Sequence, residues 1–346
     1  MLNCPCHFFI PERSVPGVPT ACLSWILLLW IALAPSLLQA DTPLPTAVPL
    51  LTAQGRIAKI CHQISRKLNS VTYNECLASG LKITPGRSVN GTPLLVKEYT
   101  PLLGKPPQAR ILVIGGIHGD EYSSVSIVFK WMQKLDQFHS GMFHWHIAPL
   151  VNPDGLLMRK SQRMNAHGVD LNRNFPTNDW ETESKKYWVN TTGRDPRRFP
   201  GTGPLSEPES QWIQMEIENF RPNVIVSVHA PYNLLDFDGP KTKPPHKLGH
   251  LYLDPMGTYP GSLGRYAGVE KKIPIITIEL TYAGIMPTSE ETRNIWTDLI
   301  HWLDANISDT QTPPLHARTT QPEPKPMQLK PNTTLSSSTH PPLVIP

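Results

Sequence analysis

The chain has 346 residues, enough for one large domain with a full core or for two small ones. Its formal net charge of +4 is small for that length, with acids and bases interspersed, which argues against a nucleic-acid partner. The 38 prolines are about twice average usage and gather near both ends and in loops.

At the N-terminus, Arg13 precedes an apolar run over residues 22–38 that exits through Gln39-Ala40-Asp41. A basic region, a short apolar core and a small residue at the exit read as a secretory signal peptide over residues 1–40. Ala34-Pro35-Ser36 breaks the run, so an uncleaved membrane anchor is the weaker alternative. Cys4, Cys6 and Cys22 leave with the signal, and Cys61 and Cys76 remain. Two thiols left in an exported chain are expected to pair as a structural disulfide.

Residues 41–54 are rich in proline and threonine and read as a linker. Ile57, Ile60, Cys61, Ile64 and Leu68 have helical spacing. Pro85-Gly86 and Asn90-Gly91 are turn dipeptides, the second separating short strands near Ser88 and residues 94–96. Residues 111–114 form a buried strand, followed by a glycine turn, His118, Glu121 and a helix over 122–135. Residues 143–151 read as the next strand, with His144 and His146 on one face. Those two lie away from a carboxyl end and are assigned to surface or packing. Asn152-Pro153-Asp154-Gly155 is a turn by its chemistry, and residues 177–204 form a long loop framing a pocket. Ser206-Glu207-Pro208-Glu209 reads as a capping box opening a helix to about residue 220. Strands over 224–228 and 273–280 end in His229 and Glu279, and a closing helix covers 288–305. Residues 306–346 have little apolar content and read as a disordered tail, which leaves 55–305 as the folded domain.

The elements predict an α/β fold, a mostly parallel, twisted mixed sheet flanked by helices. In such sheets the carboxyl ends of neighbouring strands face one crevice. His118, Glu121, His229 and Glu279 all fall at such ends. Two imidazoles and a carboxylate suit zinc, which in catalytic sites keeps three protein ligands and an open position. Taken singly, each residue would read as a satisfied core histidine or an ion-paired glutamate; together they point to a metal enzyme. Another divalent transition metal could occupy the same ligand set.

With those residues come Asn152-Pro-Asp-Gly155, Gly168-Val-Asp-Leu-Asn-Arg-Asn174, Ser206-Glu-Pro-Glu209 and Thr277-Ile-Glu279-Leu. In this order they resemble the zinc carboxypeptidase family of the carboxypeptidase A type over residues 85–305. Residues 235–240 and 257–264 are similar to its murein peptide amidase branch, whose members cut the γ-D-glutamyl–diaminopimelate amide. The resemblance implies a single catalytic domain with one zinc per chain, held by His118, Glu121 and His229. Glu279 would be the general base and Arg163 the oxyanion partner, Arg159 being its alternative. Asn172 and Arg173 would take the substrate carboxylate, and Asp170 would hold the first zinc histidine. Tyr259 stands near the family's mobile-loop tyrosine, with Tyr266 the weaker candidate. Asp236 and Asp238 either bind the amine of diaminopimelate or form a turn. The resemblance further implies a murein peptide substrate and a periplasmic location, with no membrane part in the mature form. Three other readings stand beside it: a general carboxypeptidase releasing L-residues, a deacylase of the aspartoacylase type, and a wall-peptide binder without catalysis.

Overall fold

The computed structural model describes residues 52–240 and 243–307. The signal peptide, all but the end of the linker, and the tail beyond residue 307 lie outside the described residues. Helix α1 (Ala53–Lys67) opens the fold two residues inside the expected linker, where the Thr52 hydroxyl accepts from the Gly55 amide at 3.1 Å. Its buried stripe includes Ile57, Ile60, Cys61 and Ile64. A six-residue helix, α2 (Tyr73–Ala78), follows, with Thr72 and Glu75 forming a reciprocal capping box. It is too short to show periodicity in the sequence. Cys61 on α1 and Cys76 on α2 form the expected disulfide, fully buried.

Then come β1 (Lys82–Arg87), β2 (Pro93–Tyr99), β3 (Ala109–Gly115), α3 (Tyr122–Phe138) and β4 (Phe143–Ala148). The middle of the chain holds α4 (Pro153–Leu157), α5 (Lys185–Asn190), α6 (Pro208–Phe220), β5 (Val224–His229) and β6 (Leu234–Asp238). A two-strand ribbon of β7 (Lys247–Leu248) and β8 (Leu251–Tyr252) precedes β9 (Ile275–Glu279) and α7 (Ser289–Asn306). The main sheet runs β1-β2-β4-β3-β5-β9-β6. β4, β3, β5 and β9 are mutually parallel, and β2 and β6 join them antiparallel. Every residue of β5 is buried, as a central parallel strand requires.

Side-chain alternation divides the core. Ile111, Val113, Val224, Val226, Val228, Ile276 and Ile278 face α1, α3 and α7. Leu112, Ile114, Ile225 and Ile275 face the other way, under Trp212, Ile213 and Ile217 of α6. After β3 the chain moves to β4 on one side and later returns to β5 on the other, so β3 and β5 flank a topological switch point.

Some local expectations change. Asn152 to Gly155 is the start of the one-turn helix α4, because the Asn152 side chain caps Gly155 and Pro153 takes the first position. The expected loop 177–204 contains a π-turn (Trp180–Ser184), α5 and a 3₁₀ turn (Pro196–Arg198). The residue preceding α6 is Glu207, with no side-chain cap. The Ser206 hydroxyl donates to Glu207 at 2.7 Å, while the Glu209 carboxylate accepts from the Val89 amide and the Asn165 side chain. Tertiary partners have taken the acids that a capping box would use. β4 ends at residue 148 rather than 151, and β6 had no counterpart in the sequence reading. Among the described residues no helix is long and apolar enough to cross a membrane.

Candidate active site

β3 delivers the first two functional side chains. Its glycine turn leads into His118, and Glu121 sits at the cap position of α3. Gly119 is needed there, because a Cβ would stand 2.2 Å from the backbone of Gly155. Asn152 locks the two turns together: its amide nitrogen donates to the carbonyls of Ile117 and Arg163, both at 3.1 Å. β5 delivers His229 and β9 delivers Glu279, which are paired across the parallel ladder. Both side chains share the α6 side of the sheet with Ser227 and Thr277, by the alternation that places Ile225 and Ile275 there.

His118, Glu121 and His229 converge, each buried and each offering a ligand atom within 4.8 Å of the others. The Nδ1 atoms of the two histidines lie 3.2 Å apart. His118 Nδ1 is 2.7 Å from one Glu121 oxygen, and His229 Nδ1 is 3.2 Å from the other. On its far side, His118 Nε2 meets Asp170 at 3.2 Å, and His229 Nε2 meets the Ser227 hydroxyl at 2.9 Å. A neutral His118 that donates Nε2–H to Asp170 turns the Nδ1 lone pair on the Glu121 carboxylate. Two imidazole lone pairs and a carboxylate aimed at one point are a zinc donor set, with outer partners that fix the tautomers.

The charges agree with this. Burial and Arg163 oppose a charged His118, yet Glu121 and Asp170 outweigh them and raise its pKa. Burial lowers the pKa of His229. Burial also opposes charge on Glu121 and Asp170, but both are held low, Glu121 by the two histidines and Asp170 by Arg163 and His118. Arg163 Nε donates to Asp170 at 3.0 Å and Nη1 to His118 Nδ1 at 3.1 Å, so this guanidinium faces the centre. Arg159 is exposed on the surface.

The centre opens into a cavity of about 320 Å³ lined by Arg163, Asn172, Arg173, Tyr259, Asp236, Asp238 and Glu279, among others. The Asp170 side chain caps the 3₁₀ turn that carries Asn172 and Arg173. The Asn172 side chain then accepts from the Leu263 amide at 2.8 Å. Arg173 lies over the Tyr259 ring, 4.4 Å from its centroid. Tyr266 is instead buried, stacked on Phe175 away from this cavity. Glu279 sits largely out of water and near Glu121, and these two effects push its pKa to about 8.

Asp236 and Asp238 alternate onto the cavity face of β6, opposite Thr277 and Ile275. They therefore belong to a strand, not a turn. Asp236 accepts from the amides of Phe237 and Met256. Asp238 is raised to about 7, first by burial and then by Asp236. Gly264 makes room for it, since a Cβ there would lie 2.0 Å from the Asp238 carboxylate. Arg198, Ser262 and Thr277 also line the cavity, and none of them stands out in the sequence as a site residue. The run Arg194-Asp-Pro-Arg-Arg198 was the available signal for the first, but nothing in it says which arginine turns inward.

This arrangement, a zinc-type donor set at the switch point of a mixed sheet, is that of a metallohydrolase. Residues 81–247 match the family described as zinc carboxypeptidase. Murein peptide amidase A of Escherichia coli K12 is 30% identical over 224 residues, which are 63% of this chain and 88% of that protein. The Vibrio campbellii protein of the same name is 33% identical over 208 residues, 57% and 79% of the two chains. The crystal structure of carboxypeptidase A from Helicoverpa armigera shares the fold, with a TM-score of 0.53 at 16% identity, covering 73% of this chain and 79% of that one. The chain belongs to the zinc carboxypeptidase family and is an enzyme of the metallopeptidase class.

Proposed function

We propose that this enzyme hydrolyses the γ-D-glutamyl–diaminopimelate amide of murein peptides, outside the cytoplasm, with one zinc per chain. The observation that carries the reading is the lining of a single cavity: His118 and His229 of the donor set, Glu279, three arginines, and the Asp236–Asp238 pair on β6. A diaminopimelate residue presents a carboxylate at the cleaved end and an ammonium on its side chain, and this cavity offers a complement to both. The likeness to the murein peptide amidases points the same way.

When bound, zinc supplies Lewis acidity and lowers the pKa of a water to about 7. Glu279 accepts the proton of the attacking water and returns it to the leaving amine as the C–N bond breaks. Arg163, held by Asp170, stabilises the negative charge that develops on the carbonyl oxygen. Arg173 and Asn172 take the free carboxylate of the residue being released, with Tyr259 covering the guanidinium. Arg198 adds a second cation, suited to the α-carboxylate of the D-glutamyl residue. Asp236 and Asp238 take the side-chain ammonium, whose charge replaces the proton that Asp238 otherwise holds.

The catalytic domain spans 55–305 in this reading, behind a cleaved signal peptide (1–40) and a linker (41–54), with a tail over 306–346. The Cys61–Cys76 disulfide supports an oxidising compartment. The test incubates the mature protein with L-Ala-γ-D-Glu-diaminopimelate and with hippuryl-amino acids, each with and without a chelator. Chelator-sensitive release of diaminopimelate alone is expected. Hippurate release at a comparable rate would make it a general carboxypeptidase, and tight tripeptide binding without turnover would make it a binder.

A further inference from the structure

His144 and His146, assigned to surface or packing in the sequence, form the second His/Glu convergence of the described residues. Both stand on the α6 face of β4, and Glu98 of β2 lies directly across the antiparallel ladder from His146. His144 Nε2 is 2.9 Å from Glu98 Oε1, and His146 Nε2 is 3.6 Å from the same oxygen. One ligand atom from each of the three side chains lies within 4.8 Å of the others.

Behind this group, Glu216 of α6 takes the opposite nitrogen, His146 Nδ1, at 3.1 Å. A carboxylate there holds the proton on Nδ1 and leaves the Nε2 lone pair directed at Glu98 and His144, the way outer carboxylates orient metal-binding histidines. Phe220 fixes both rings, stacked on His146 at 3.9 Å and edge-on to His144 at 5.0 Å. The side chains of His144, His146 and Glu98 keep 21%, 20% and 33% of their surface exposed, so an ion can reach them from solvent.

We propose that Glu98, His144 and His146 form a second cation site, separate from the His118 centre, for a divalent transition metal of the zinc type. Two imidazole nitrogens and one carboxylate oxygen on neighbouring strands match the preferences of zinc, cobalt and nickel and not those of calcium or magnesium. Glu216 positions His146 without binding the ion. Such an ion would clamp β2 to β4 at the sheet half away from the active site.

The test uses the full mature chain, dialysed against micromolar free zinc, with bound metal counted by mass spectrometry of the digested protein. The parent should hold two zinc ions per chain, and the His144→Gln/His146→Gln double variant one. Glu216→Gln should keep the second ion but weaken it about 10- to 100-fold. Cobalt loading should give visible absorption from two sites in the parent and one in the double variant. Melting both proteins in chelator controls for folding: equal midpoints mean that lost metal is not lost structure. A parent that binds only one ion, or a double variant that keeps both, overturns the proposal.

Discussion

At the scale of single residues, the site is a set of charges whose energies depend on each other. Glu279 is pushed to about 8 by burial and by Glu121, so it holds its proton until neutral pH unless a cation offsets that repulsion. A base must be ionised to act, so kcat/KM should fall on the acid side, with an apparent pKa below 8 in the zinc-loaded enzyme. Glu279→Gln keeps the shape and removes the base: turnover should drop about 10²- to 10⁴-fold with zinc content unchanged. Turnover within tenfold of the parent would take Glu279 out of the reaction. Asp238 gives a second test. Its folded pKa, about 7, is raised above the unfolded value, so its contribution to stability is full below the ordinary carboxylate range, is lost as pH rises through about 7, and is flat thereafter. Asp238→Asn should flatten that decline, narrowing the gap in melting temperature between pH 5 and pH 8. The same change should raise KM for the tripeptide, because its side-chain ammonium loses a partner, and leave zinc content unchanged.

At the scale of elements, the fold shows which sequence signals carry across to structure. The strands over 111–114, 224–228 and 273–280 were legible because buried parallel strands leave unbroken apolar runs, and their carboxyl ends announced His118, His229 and Glu279. β6 was not legible: Leu-Leu-Asp-Phe-Asp carries two carboxylates that face a cavity rather than solvent, so its alternation imitates a turn. Ser206 to Glu209 misled for a related reason, since Glu207 and Glu209 are spent on Asn165, at 2.7 and 3.0 Å, to hold the segment that leads to Asp170. Local motifs predict local structure only while no distant partner claims the side chain. α1 and α2 illustrate a different limit, because the disulfide between them was legible and the second helix was not. That bridge closes a loop with a sequence separation of 15, for which chain entropy gives about 3 kcal/mol. A Cys61→Ser/Cys76→Ser variant should unfold at correspondingly lower denaturant, with a steeper slope because the uncrosslinked denatured chain exposes more surface. An unchanged midpoint would mean that the packing of Ile57, Ile60 and Ile64 alone secures α1.

For the whole molecule, the buried donor set binds folding to metal. Without a cation, His118, Glu121 and His229 must share protons in a dry interior. Glu121 and Asp170 raise the pKa of His118 against burial, a stabilising contribution that is complete below the ordinary histidine range and lost as pH climbs from there through the raised folded value. His229, lowered by burial, acts oppositely, but its cost falls at acid pH, below the range where His118 titrates. Between neutral and alkaline pH the chelated protein should therefore lose stability. Zinc competes with protons for these same nitrogens, so its affinity rises over that interval. Both effects have one sign: the melting-temperature difference between zinc-loaded and chelated protein should widen from pH 6.5 to pH 9. At a free zinc concentration 1,000-fold above its dissociation constant the increment is about 4 kcal/mol, or roughly 10 °C for a domain of this size. Paired melts across that range, repeated with His229→Gln, provide the check. A constant or shrinking gap in the parent would show that protons, not metal, are the resident partners of this centre.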